Sequence, residues 1–337
     1  MIKAEGLPDV GRTSADGQPQ VELLGRGRLP YFDQDEVHDI YRAWRPILDS
    51  YPGGRMAVAE AWAETPQRLA RYIGPDELHQ AFNFDFLDAT WSADSFHKVI
   101  DTALAESTIV GAPTTWVLSN HDKQRHVTRY GDGPVGLRRA RAAALLMLAL
   151  PGCVYLYQGE ELGLPEVLDL PDERRQDPAF LRTGQSRDGC RVPLPWSGEL
   201  APYGFGPAGG ELSWLPAPVT WRALSVAAQT GDPASTLELY RSALRIRRAH
   251  PALANDPGTA TDADALTWLA TEPGVLAFAR VGTAGAELVC AVNFSGAPVR
   301  ISGYGRPIAA SETLTERDGA IMLPVDAAVW FERPQEG

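Results

Sequence analysis

Between residues 33 and 159 the chain changes texture on a regular beat, and that beat restricts the folds open to it. Short apolar runs, "GGRMAVAEAW" from Gly53, "AFNFDFLD" from Ala81, "TTWVLSN" from Thr114 and "GCVYLYQG" from Gly152, read as strands. Longer stretches with apolar residues at helical spacing separate them. "DQDEVHDIYRAWRPILDSY" places Val37, Ile40, Tyr41, Trp44 and Ile47 on one face, with Asp33 as the expected N-cap. "TPQRLARYI" opens with Thr65 as cap and Pro66 at the first helical position. "SADSFHKVIDTALAE" and "GLRRARAAALLMLAL" continue the series. Strand and helix alternating in units of roughly thirty residues specify a parallel sheet covered by helices.

The beat lapses after Gly159. Residues 160–232 are rich in Pro, Gly and Trp, longer than an ordinary connection and of the kind that carries function. "STLELYRSALRIRRAHPAL" restores a helix, with Leu237, Tyr240, Leu244 and Ile246 expected on its buried side. Beyond Pro251 come short alternating strands: "GVLAFARV", "AELVCAVNFS", "APVRISG" and "AAVWFE". The expected division is therefore an α/β part over residues 1–251 and an antiparallel all-β domain over 252–337.

A formal net charge of -12 argues against a nucleic-acid partner, because phosphate binding needs clustered Lys and Arg. The three cysteines, Cys153, Cys190 and Cys290, are odd in number and lack zinc spacing, which favours a reducing compartment. "MIKAEGLPDV" has no apolar signal core, and "AAALLMLALPGCVYLY" is broken by Pro151 and Gly152, too short to span a bilayer. The expectation is a cytoplasmic protein with no membrane partner.

Two of the strand-like runs end on acids: Glu60 closes "RMAVAE", and Asp122 follows "TTWVLSN" after Asn120 and His121. In an α/β barrel, reactive side chains sit where strands end, at the carboxyl face. Glycoside hydrolysis needs two carboxyl groups, one to protonate the leaving oxygen and one to support or attack the anomeric carbon. Strand-end acids also cap helices or bind backbone amides, so the pair is a candidate on residue type and place alone. Other acids read more plainly. Asp85 in "NFDF" lines a substrate pocket or is structural; Glu160 and Glu161 in "QGEELG" are structural hydrogen-bond partners; Trp62 and Trp116 are core.

"AVAEAW" and "WVLSNHDKQR" resemble two conserved regions of the α-amylase superfamily of retaining glycoside hydrolases. "DQDEVHDIYRAWRPILDSY", "CVYLYQGEELGLPEV", "SRDGCRVPLPW" and "LYRSALRIRRAHPAL" resemble, in the same order, segments of its α-glucosidase and oligo-1,6-glucosidase branch. The resemblance implies the second half of a (β/α)8 TIM barrel, strands five to eight, followed by an antiparallel β-domain. It places Glu60 on the general acid/base, Asp122 on the acid that stabilises the oxocarbenium-like transition state, and His121 on a sugar-binding histidine. Arg187, with Asp188 and Arg191 beside it, falls on the segment that reaches the same sugar and is the favoured contact; either arginine could instead be a structural ion pair.

The implied activity is release of glucose from short α-glucosides, with transglucosylation or isomerisation of maltose or sucrose as its neighbour. No cofactor is implied, and no calcium loop is visible. In that branch the nucleophile segment, of the form Gly-Phe-Arg-x-Asp-x-x-x-Gly, runs on into a stretch like "MIKAEGLPD". The expectation is that the nucleophile lies upstream of Met1, which makes this chain inactive alone, an inactive fragment, or one part of a split enzyme that pairs with an N-terminal half-barrel. Asp9, Asp16 and Asp33 are the nearest acids, and none sits in an apolar strand context.

Overall fold

The computed structural model describes residues 32–61, 63, 65–206, 213–254, 266–282 and 285–333. Trp62, Asp9 and Asp16 lie outside the described residues. The α/β part opens with α1 (Val37–Asp49), β1 (Val58–Ala59), α2 (Pro66–Arg71), β2 (Gln80–Ala81), α3 (Phe84–Leu87) and α4 (Ala93–Val110). It continues with β3 (Thr115–Val117), α5 (His126–Arg129), α6 (Gly133–Ala149), β4 (Cys153–Tyr155), α7 (Pro178–Thr183), α8 (Val226–Gln229) and α9 (Thr236–Ala249). The strands form two parallel pairs, β1 with β2 and β3 with β4. The Thr115 hydroxyl donates to the carbonyl of Ala81 and joins one pair to the other.

Local chemistry sets the helix ends. Thr65 accepts from the Arg68 amide at the start of α2, with Pro66 behind it, as its sequence predicts. Ser92 accepts from the Ser95 amide to open α4, and Gly111 closes that helix at φ 68, where a side chain would be strained. The apolar run of α6 is buried all round, from Ala142 to Ala149, because it lies between α5, α9 and the β-domain. No helix among the described residues is long and apolar enough to cross a membrane.

Three expectations are corrected here. "AFNFDFLD" is strand only at its entry: Asn83 accepts from the Phe86 amide and turns the chain into α3, so Asp85 sits in a helical first turn. Asp33 does not cap α1. Glu36 holds that position without a side-chain cap, while the buried Asp33 carboxylate takes Arg68 Nε and the Tyr72 hydroxyl. Of the apolar face of α1, Val37 and Tyr41 pack against Ala59, Tyr72, Leu78 and Ala81, but Trp44 and Ile47 remain 52% and 56% exposed.

The β-domain holds β5 (Thr267–Trp268), β6 (Val275–Val281), β7 (Glu287–Asn293), β8 (Val299–Ile301), β9 (Arg306–Ala310), β10 (Thr315–Arg317), β11 (Ala320–Leu323) and β12 (Ala327–Arg333). One antiparallel sheet has the order β5-β6-β7-β12-β9 and the other β10-β11-β8. Alternation along the long strands serves two cores. Leu276, Phe278, Leu288, Cys290, Val292, Ala328 and Trp330 join the core built by α4 and α6. Ala277, Ala279, Val289, Ala291, Val329 and Phe331 face Ile301 and Leu323 of the smaller sheet. The Trp330 indole donates to Leu145 O of α6 at 3.0 Å, and the buried Asp326 carboxylate accepts from Trp91 Nε1 at 2.6 Å and Arg139 Nε at 3.0 Å.

Candidate active site

Glu60 is the first residue after β1, and His121 and Asp122 lie on the loop between β3 and α5. Each contributes one polar side-chain atom to a cluster in which all such atoms lie within 4.8 Å of one another. The two strand-end acids singled out by sequence, about sixty residues apart in their barrel-like units, thus meet at one place. Glu60 and His121 are exposed and Asp122 half-buried.

The loop owes its shape to side chains. Asn120 Oδ1 accepts from the Asp122 amide at 2.9 Å, a turn that short polar residues favour. At the base, Ser119 Oγ lies 2.7 Å from His126 Nδ1 and accepts from the His126 amide at 3.1 Å, both residues being buried. Burial pushes the His126 imidazole well below its usual range, so it is neutral there. Arg129 spans the loop, donating to Leu118 O at one end and Gln124 O at the other.

Arg187 donates to Asp122 Oδ1 at 2.8 Å, and Arg191 does the same at 2.8 Å while its Nε donates to His121 O at 2.8 Å. The sequence favours Arg187 as the sugar contact; in the structure both arginines reach the same oxygen of Asp122. Arg187 is itself gripped by the buried Asp177, whose carboxyl the guanidinium holds well below the usual carboxylate range. Asp188, also buried, accepts from the amides of Gln176 and Asp177 and from the Ser186 hydroxyl, which fastens residues 186–188 to the segment before α7.

A cavity of ≈ 190 Å³ opens beside Asp122, with Lys123, Glu166, Arg175 and Arg187 in its walls. Neither Glu60 nor His121 lines it, so it lies on the arginine side of Asp122. The Glu60, His121 and Asp122 cluster has donors of the kind a metal ion takes. An ion on Asp122 Oδ1 would, however, stand against two guanidinium groups already 2.8 Å from that oxygen, and like charges at such distances repel strongly. The arrangement suits a polar, uncharged ligand better than a cation.

Glu160 and Glu161 are structural, as expected. Glu160 is buried, accepting from the Tyr157 amide and the Tyr240 hydroxyl at 3.2 Å each; burial pushes its carboxyl up to about 8. Glu161 accepts from the Gly159 amide at 2.7 Å. Trp116 is fully buried core. Sequence reading missed Asp177, Arg125 and the Ser119–His126 pair. Asp177 stands before a proline at the start of α7, an N-cap signature, and its side chain does accept from the Ala179 amide.

Residues 1–256 match the family model "Alpha amylase, catalytic domain". Among curated proteins, a probable alpha-glucosidase of Rhizobium meliloti is 32% identical over 67% of this chain and 42% of its own length. An oligo-1,6-glucosidase of Parageobacillus thermoglucosidasius is 26% identical over 70% of this chain and 47% of its own length. The chain therefore spans less than half the length of these relatives. The crystal structure of an alpha-glucosyl transfer enzyme superposes with a TM-score of 0.77 and 29% identity, covering 98% of this chain and 62% of that one.

Proposed function

The chain belongs to the α-amylase family, and from that premise we propose that it carries the acid/base half of a retaining α-glucosidase site. The fold is the TIM-barrel fold of the family with an antiparallel sheet behind it. We assign β1 to β4 to barrel strands five to eight and the residues from 252 onward to the C-terminal domain. The observation that carries the reading is the convergence of Glu60, His121 and Asp122 within 4.8 Å at the ends of two strands.

The roles follow from the surroundings of each acid. Glu60 is exposed and accepts no hydrogen bond from another described residue, so it is free to carry a proton to a glycosidic oxygen and later to draw one from water. Asp122 is a poor candidate for nucleophile. Two guanidinium groups on Oδ1 draw its charge away from attack, whereas a fixed, half-buried carboxylate suits the positive charge that develops on a sugar ring. His121, 3.6 Å from Asp122 Oδ1, presents its ring for a sugar hydroxyl. Arg187 orients Asp122 from behind. No described residue is assigned the nucleophile.

The substrate class we propose is a short α-glucoside. Transfer of the glucosyl group to a second sugar is the other reading, supported by the 29% identity to an alpha-glucosyl transfer enzyme. Rate measurements on maltose, sucrose and 4-nitrophenyl α-glucoside, with the chain alone and fused to the remaining barrel strands of a relative, test the proposal. Turnover that gives α-configured product first and that Glu60→Gln abolishes supports it. A folded fusion with no turnover, or turnover that survives Glu60→Gln, overturns it. The ratio of transferred to free glucose separates the two readings.

A further inference from the structure

Arg125 is 1% exposed, yet it lies only three residues after Asp122 on the same loop. Burying a guanidinium is costly unless its donors are used; Arg125 Nε has no partner among the described residues, and the two terminal nitrogens carry the contacts. Nη1 donates to Gln158 O at 2.9 Å, in the turn after β4. Nη2 donates to Cys190 O at 2.9 Å, the residue before Arg191. The Arg125 amide donates to Glu166 Oε2 at 2.9 Å, and the guanidinium stacks 5.0 Å from the Tyr157 ring centre. The Tyr157 hydroxyl donates to the same Cys190 carbonyl at 2.9 Å. Gly159 leaves the space: it has φ +91, and a Cβ there would stand 2.9 Å from Arg125 Nη1.

The two ends of the arginine segment are thus fastened by different means. Residues 186–188 are tied to residues 176 and 177 through Asp188 and Asp177. Cys190, and with it the point from which Arg191 leaves the chain, is tied through its carbonyl to Arg125 and Tyr157. Arg191 closes the circuit by returning to His121 O and Asp122 Oδ1. A planar fork can hold two carbonyls in fixed relation, which a lysine ammonium, a single rotatable point charge, does not.

We propose that Arg125 is a positioning residue of the site: its guanidinium spans Gln158 O and Cys190 O and so sets where Arg191 meets Asp122. The catalytic weight of this rests on the glycosidase reading, but the geometric claim does not. The test is the solvent exchange of the Arg187 and Arg191 Nε–H groups, followed by 15N NMR on the full chain without substrate. In Arg125→Met, exchange at Arg191 should rise about tenfold, the loss of one or two net hydrogen bonds, while Arg187, held by Asp177, changes by less than about twofold. Arg125→Lys should behave as the methionine variant does, not as wild type. Unchanged Arg191 in folded Arg125 variants overturns the proposal, as does equal loosening of both arginines, which is what general destabilisation produces. Should both Arg125 variants fail to fold, Tyr157→Phe decides. It removes one donor to Cys190 O and should give the same asymmetry at about threefold; an equal response of the two arginines refutes it.

Discussion

Arg187 and Asp177 form a bidentate pair, 2.7 Å from Nε to Oδ2 and 2.8 Å from Nη2 to Oδ1, with the carboxylate wholly buried. That pair is the fixed point from which Arg187 extends to Asp122. Asp177→Ala should cost about 2–4 kcal/mol, since it removes the α7 cap and leaves Arg187 with Asp122 as its one carboxylate partner among the described residues. The Asp177 carboxyl lies below the usual range chiefly because Arg187 donates to it, so its stabilising effect is present above that range and lost as pH falls through the depressed value. Acid unfolding followed by circular dichroism should begin at higher pH in Asp177→Asn than in wild type.

Burial of Glu160 works in the opposite sense. Its carboxyl, ordinarily near 4.5, is pushed up to about 8 by desolvation, so the folded state holds a proton the unfolded chain has released. The advantage is complete below the unfolded value and is lost as pH climbs through about 8. Over the whole window the change is on the order of 5 kcal/mol at most. The Tm of Glu160→Gln relative to wild type should therefore rise by several degrees from pH 5 to pH 8, as read by calorimetry. A flat difference would place the proton elsewhere.

Much of this arrangement was legible in sequence. Glu60 and Asp122 are acids at the ends of apolar runs, and the spacing of those runs brings them to one place. The β-domain strands were visible because a sheet packed on both faces keeps strict alternation with different partners, as in Leu276–Ala277–Phe278–Ala279. What stayed hidden depends on tertiary partners. Asp33 has the composition of a cap but finds Arg68; Asn83 ends a strand that the apolar residues around it would have continued. Asp177 and Arg125 are polar residues whose burial only their distant partners explain. Trp44 and Ile47 have helical spacing without a described surface to cover them.

Glu60→Ala gives the sharpest test of the proposed chemistry in any form of the protein that turns over. Poor leaving groups need its proton, so natural α-glucosides should slow by about 10²–10⁴-fold. The first step with a glucosyl fluoride should slow far less, and azide should restore turnover by attacking without a general base. Asp122→Asn should instead impair every substrate alike, because it removes charge stabilisation rather than a proton donor. Stopped-flow and product NMR distinguish the two patterns; equal losses for good and poor leaving groups in Glu60→Ala would contradict the assignment.

The β-domain is not an appendage. Trp330, Phe278 and Leu288 belong to the same core as Leu145 and Phe96, and Asp326 accepts from both Trp91 and Arg139. Asp326→Ala leaves two donors without their acceptor and should cost about 2–4 kcal/mol. Calorimetry should still show one transition, shifted downward, because the shared core unfolds as a unit. Two separate transitions would mean that the sheets and α6 are independent.

A carboxylate has two interchangeable oxygens only while its surroundings treat them alike. Among the described residues, Arg187, Arg191 and His121 all approach Asp122 through Oδ1. A half-turn only swaps the two names, but the two positions they fill are unlike, because all three side chains crowd one of them. Asp122 is thereby a lateralised acceptor: a hydroxyl arriving at Oδ2 meets lone pairs whose direction the arginines have already chosen. Two epimers that offer the same hydroxyl on opposite faces of a ring would not find it equivalent. The arginines thus decide which position of the carboxylate an incoming hydroxyl meets.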